Sequence, residues 1–144
     1  MNKIILFLFL AISSVAFSQN WESNFSSAKS RAVKENKNIL LVFSGSDWCA
    51  PCIKLDRNVW QSKEFGKASK ESWIIYKADF PKKKGNQLSE QLANENKALA
   101  EKYNKAGNFP LVVLLDKNGK VLGMESFKNI PAEEYVQLLH SFEK

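Results

Sequence analysis

The stretch from Asn38 to Cys52, Asn-Ile-Leu-Leu-Val-Phe-Ser-Gly-Ser-Asp-Trp-Cys-Ala-Pro-Cys, constrains this chain more than any other. Ile39 to Phe43 is a short continuous apolar run, the pattern of a strand buried on both faces, and Ser44 to Asp47 is a polar turn. Beyond the cysteines, Ile53, Leu55, Val59 and Trp60 recur at helical spacing with Lys54, Arg57 and Asn58 between them. Both cysteines of the protein, Cys49 and Cys52, therefore open a helix that follows a buried strand. Cys49 is expected at the exposed helix N-terminus, where unpaired backbone N–H groups and the helix dipole favour the thiolate, the nucleophilic form of cysteine. Cys52, one turn deeper, is expected to share a face with Leu55 and Val59. This arrangement predicts an outer sulfur that attacks and a shielded inner sulfur that resolves.

Other uses of a Cys-x-x-Cys pair fit the chain less well. A structural zinc site takes about four ligands, and the only other soft ligand is the single histidine, His140. No metal is expected. A purely structural disulfide across so short a loop adds little loop-closure stabilisation. The helix-start context favours redox chemistry.

Residues 1–18 read as a signal peptide. Lys3 supplies a short positive region, Ile4 to Ile12 is an apolar core of nine residues, and Ala16-Phe17-Ser18 offers small residues for cleavage before Gln19. Nine apolar residues are too few for a spanning helix, which needs about 20. The expectation is an exported protein, periplasmic in a Gram-negative host and otherwise secreted. The remainder, residues 19–144, has the length of one domain with a single core. The net charge is +6, and Lys82-Lys83-Lys84 is the one basic run, read as a solvated loop. No basic stripe interleaved with aromatics is present, so no nucleic acid is expected as a partner.

The order of elements follows from periodicity. Trp21, Phe25, Ala28, Ala32 and Val33 predict a first helix ending before Asn38. Ser62 to Ser69 predicts a short helix or turn. Trp73 to Phe80, rich in β-branched and aromatic residues and stopped by Pro81, predicts a strand, parallel to the first because a helix intervenes. Leu88, Leu92, Leu99, Ala100 and Tyr103 predict a helix with Ala106-Gly107-Asn108 as its stop. Leu111 to Leu115, the turn Asp116-Lys117-Asn118-Gly119, and Lys120 to Phe127 predict an antiparallel hairpin. Pro131 to Glu134 opens a terminal helix striped by Tyr135, Leu138, Leu139 and Phe142.

Ser46 to Cys52, the strand before them and Phe109-Pro110 downstream resemble the thioredoxin family, in particular exported bacterial thioredoxin-like disulfide reductases carrying Ser-Asp-Trp-Cys-x-x-Cys. The resemblance covers roughly the whole chain after residue 18. It implies an α/β thioredoxin fold, a three-layer α/β/α sandwich with a central mixed sheet. It implies thiol–disulfide exchange, in which Cys49 attacks a protein or small-molecule disulfide and Cys52 resolves the mixed disulfide. It also implies substrate contacts at Trp48, Ala50, Pro51, Phe109 and Pro110, with a cis bond before Pro110 and the large Phe109 narrowing or greasing the groove. No metal or organic cofactor is expected, the chain is expected to be a monomer, and a membrane electron donor is expected to keep it reduced.

Two departures from thioredoxins matter. Thioredoxins bury an acid in the strand beneath the active site, and the matching position here is Val42 or Phe43. Lys77 matches the lysine that accompanies that acid and, alone, is expected to be exposed or snorkelling. Asp47 is expected to cap the active-site helix, and Asp56, four residues after Cys52, is a candidate substitute base. The competing readings are an oxidase or isomerase, with Pro51 leaning towards reduction, and a non-catalytic metal-handling or binding module. The second is disfavoured because its histidine ligand should lie near the cysteines, whereas His140 lies in the terminal helix.

Overall fold

Successive side chains of a strand point to opposite faces, and in β1 (Asn38–Ser44) both sets are apolar. Ile39, Leu41 and Phe43 enter one core cluster, and Leu40 and Val42 enter a second on the other side of the sheet. A strand apolar on both faces must be covered on both faces, and that requirement makes the molecule three-layered. The computed structural model describes residues 19–144, so the proposed leader, residues 1–18, lies outside the described residues.

One face is covered by α1 (Phe25–Glu35) and α4 (Glu90–Tyr103), which contribute Phe25, Ala28, Ala32, Leu99 and Tyr103. The other is covered by α2 (Ala50–Leu55), its π-helical continuation Asp56–Trp60, α3 (Lys63–Ser72) and α5 (Ala132–Ser141). Leu55, Val59, Trp60, Phe65, Tyr135 and Leu139 fill that side. The sheet order is β2-β1-β3-β4, with β2 (Trp73–Asp79), β3 (Leu111–Leu115) and β4 (Val121–Glu125). β1 pairs parallel with β2 and antiparallel with β3, so the sheet is mixed, and the β3–β4 hairpin is antiparallel. The chain thus has the thioredoxin-like α/β architecture.

Local signals set most boundaries. Asn24, Ser62 and Ser89 cap α1, α3 and α4 by accepting the N–H of the residue three positions on. Asn36 takes the left-handed conformation (φ 52°) that ends α1. Trp21 corrects the periodicity reading, for it lies before the helix, bridging Ile75 at the sheet edge, because Asn24 captures the Ser27 amide and starts the helix at Phe25. Its indole stacks on Phe65 and meets Trp60 edge-on. α3 is a full helix of ten residues, longer than the spacing suggested.

Candidate active site

Ser44 ends β1, and the chain turns at Gly45, whose carbonyl accepts the N–H groups of Trp48 (3.2 Å) and Cys49 (2.9 Å). A Cβ at Gly45 would lie 2.3 Å from the Trp48 indole, so this turn packs only around a glycine. Cys49 is the N-cap of α2, and its Sγ accepts the Cys52 N–H at 3.3 Å. Cys52 Sγ accepts the Gly45 N–H at 3.5 Å. The two sulfurs are joined in a disulfide, with Cα atoms 5.2 Å apart.

The expected contrast in exposure is not present in this oxidised pair. Cys49 is 4% exposed and Cys52 3%, because the sulfur that caps the helix is also folded against its partner across one turn. The contrast lies in what surrounds each sulfur. Ala50, Pro51 and the Trp48 indole beside Cys49 are exposed. Cys52 instead lines a partly open cavity of about 150 Å³ shared with Ser44, Ser46, Ile53, Asp56 and Lys77.

Lys77 is not the solitary lysine the sequence suggested. Val42 is its register partner across β1 and β2, so Lys77 emerges on the face of the active-site helix, where Nζ donates to Asp56 Oδ1 at 2.7 Å. Its ammonium also lies 4.8 Å from the Trp21 ring. Gln61 Nε2 donates to the other Asp56 oxygen at 2.6 Å. The same register resolves the position under the site. Val42 faces α2, while Phe43 faces the opposite layer.

Asp47 does not cap α2; Cys49 does. The Asp47 carboxylate reaches across to the segment after β2, accepting the N–H groups of Lys82 and Lys83 at 2.9 Å each and the Asn86 side-chain amide at 3.1 Å. The Lys82 N–H, with smaller help from Asn86 and Lys83, holds its carboxyl below the ordinary carboxylate value. Trp48 Nε1 donates to the Phe80 carbonyl at 2.7 Å, and Asp79 accepts both the N–H and the hydroxyl of Ser46. The loop bearing the cysteines is therefore fastened to the end of β2 and the segment after it through Ser46, Asp47 and Trp48. Sequence reasoning missed Asp79 and Phe80, since nothing local marks residues whose partners lie 32 or 33 positions away.

The Phe109–Pro110 bond is cis, and Pro110 is buried immediately before β3. Phe109 is half-buried, with its ring 5.4 Å from Trp48 and 5.4 Å from Phe80. Trp48, just before α2, thus meets Phe109, just before Pro110 and β3, while Ala50 and Pro51 form the exposed first turn of α2. His140 lies elsewhere, with its ring 4.6 Å from Trp73 and its Nδ1 against Glu143. Among the described residues, no helix is long and apolar enough to cross a membrane.

Residues 20–117 match the family model described as thioredoxin-like. The chain is 34% identical over 121 residues to the disulfide bond reductase DsbH of Chlamydia pneumoniae, covering 84% of this chain and 70% of that protein. It is 27% identical over 110 residues to the thioredoxin-related protein DsbJ of the same organism, but covers only 31% of it. A solved DsbH oxidoreductase superposes with a TM-score of 0.81 at 32% identity, covering 90% of this chain and 88% of that one. A thioredoxin from Thermus thermophilus shares the fold alone, with a TM-score of 0.65 at 16% identity over 86% of both chains. With the paired cysteines at the head of α2 and these relatives along most of its length, the chain belongs to the thioredoxin-like family and is a thiol–disulfide oxidoreductase.

Proposed function

We propose that the protein is exported after loss of residues 1–18, leaving a domain of residues 19–144, and works as a reductase of protein disulfides. The observation that carries the assignment of roles is the position of Cys49 as the N-cap of α2. Its sulfur accepts the Cys52 amide and sits at the positive end of the helix, where a thiolate is stabilised. Cys49 thiolate attacks one sulfur of a substrate disulfide. That S–S bond breaks, one substrate thiolate leaves and takes up a proton, and a mixed disulfide remains on Cys49. Cys52 then loses its proton and attacks Cys49 Sγ. The second substrate thiolate leaves, and the protein is left as the Cys49–Cys52 disulfide.

The inner step needs a proton acceptor, since Cys52 is buried and Val42 beneath it is apolar. Asp56, which borders the same cavity, takes that role, and the 150 Å³ space has room for the water that carries the proton between them. Trp48, Ala50, Pro51, Phe109 and Pro110 form the surface that meets the substrate. A membrane-bound electron donor returns the pair to the dithiol state. Support for the reducing direction comes from the similarity to DsbH, a disulfide bond reductase.

The redox potential tests the direction. A value near that of thioredoxin, about −270 mV, agrees with a reductase, and one near about −120 mV, that of a strong oxidant, overturns it. A metal-handling module is the weaker reading, because His140 packs on Trp73 in the terminal helix and away from the cysteines.

A further inference from the structure

The Lys77–Asp56 pair has a third neighbour, the indole of Trp21. Lys77 lies on the edge strand β2, and Asp56 opens the π-helical turn that continues α2, so the ion pair joins two separate elements. Trp21 touches both of them. Its ring centre lies 4.8 Å from Lys77 Nζ, and it meets Trp60, at the end of the turn that Asp56 opens, edge-on at 6.1 Å. The indole also stacks on Phe65 at 6.2 Å. The chain that carries it is fixed as well. Trp21 bridges Ile75, which shares a strand face with Lys77, and the Glu22 N–H donates to the Ile75 carbonyl at 2.9 Å.

A lysine on an edge strand has an easy alternative to a solvated ion pair, because its flexible stem lets the ammonium swing into water. Lys77 is 27% exposed and Asp56 33%, which leaves that route open, and such a pair by itself is weak. The Trp21 ring offsets this. A cation near an aromatic face is attracted by the ring's quadrupole, and tryptophan is the strongest such partner. With the ammonium held there, Asp56 Oδ1 stays on Lys77 at 2.7 Å and Oδ2 stays on Gln61 at 2.6 Å. The carboxylate is thereby fixed at both oxygens on the wall of the cavity that Cys52 lines, and each oxygen keeps a lone pair for a water in that space.

We propose that Trp21 is a positioning residue for the second half of the reaction: through the Lys77 ammonium it holds the Asp56 carboxylate where it takes the Cys52 proton, as the Cys52 sulfur attacks Cys49. The proposal rests on the reading that Asp56 is that proton acceptor, and it adds a residue from the segment before α1.

Trp21→Leu and Trp21→Phe both open space against Trp60 and Phe65, but only phenylalanine keeps a ring face for Lys77. A symmetrical nitrothiobenzoate disulfide, reduced in single turnovers of the pre-reduced proteins, separates the steps, the first thiolate released reporting attack by Cys49 and the second reporting resolution by Cys52. Trp21→Leu should slow the second phase alone by about two- to fivefold, the equilibrium factor of a partly exposed cation–π contact. Trp21→Phe should restore most of that rate, and Trp21→Leu should slow nothing further in the Asp56→Asn background. Second phases alike in wild type and Trp21→Leu overturn the proposal, and the role of Asp56 still stands if Asp56→Asn alone slows resolution. Equal slowing by Leu and Phe, slowing of both phases together, or slowing that persists undiminished in the Asp56→Asn background would show that Trp21 only packs the fold, and each overturns the proposal. An Asp56→Asn protein that resolves as fast as wild type ends the reading of Asp56 as the proton acceptor and the proposal with it.

Discussion

Asp56→Asn separates the two halves of the reaction. The carboxylate is 33% exposed and its partner Lys77 27%, so the pair at 2.7 Å is well solvated. Its loss should cost under about 1 kcal/mol of stability. The asparagine is nearly isosteric, so the fold and the approach of Cys49 to substrate should persist. What disappears is the one carboxylate on the cavity that Cys52 lines. General-base assistance contributes about 10²–10⁴ in rate when the base reaches its proton directly. Here Asp56 bonds Lys77 and Gln61 and is partly exposed, so the lower end applies, and resolution should slow by about 10- to 100-fold near neutral pH. The symmetrical nitrothiobenzoate disulfide reports both steps in one stopped-flow trace. The first coloured thiolate leaves when Cys49 attacks and the second when Cys52 resolves. The expected result is an unchanged first phase with a slowed second phase that recovers as pH rises and the thiol ionises unaided. A second phase within about twofold of wild type across pH would refute the reasoning. It would mean that Cys52 gives its proton to solvent or to the leaving thiolate.

Other predictions concern each sulfur, the fastened loop and the core. Alkylation of the reduced protein near neutral pH should label Cys49 faster than Cys52, Cys52→Ser should trap mixed disulfides and Cys49→Ser almost none; equal labelling rates would remove the assignment of roles. Asp47, whose folded carboxyl titrates below its ordinary value of 3.8, contributes its hold on the loop fully above that pH and loses it as pH falls through the lower, folded value. Amide exchange at Lys82 and Lys83 should therefore stay protected at mild acidity and open only in strong acid, and protection already lost at mild acidity would contradict the bonds described. A Cβ at Gly123 would lie 2.2 Å from the Phe142 ring, so Gly123→Ala should destabilise the domain by about 1–3 kcal/mol in denaturant unfolding, and an unchanged midpoint would show that Phe142 is free to move.

The sequence by itself determined whatever depends on neighbours along the chain. The unbroken apolar run of β1 required cover on both faces. The change from that run to helical spacing placed Cys49 and Cys52 at a helix start, and capping residues such as Asn24, Ser62 and Ser89 carried their own geometry. The tertiary structure decided whatever depends on register and on the phase of one element against another. A one-residue difference in strand phase would have set Phe43 rather than Val42 under the active-site helix. Lys77 finds Asp56 only because its register position opposite Val42 turns it towards α2 and the π-helical turn that follows. Asp47 reads as a helix cap from its neighbours, yet its carboxylate is claimed by amides 35 and 36 residues on. Cys49 took the cap instead. A polar side chain bonds wherever folding brings the strongest donors within about 3 Å, and for Asp47, Asp56 and Lys77 those donors and acceptors belong to a different part of the chain.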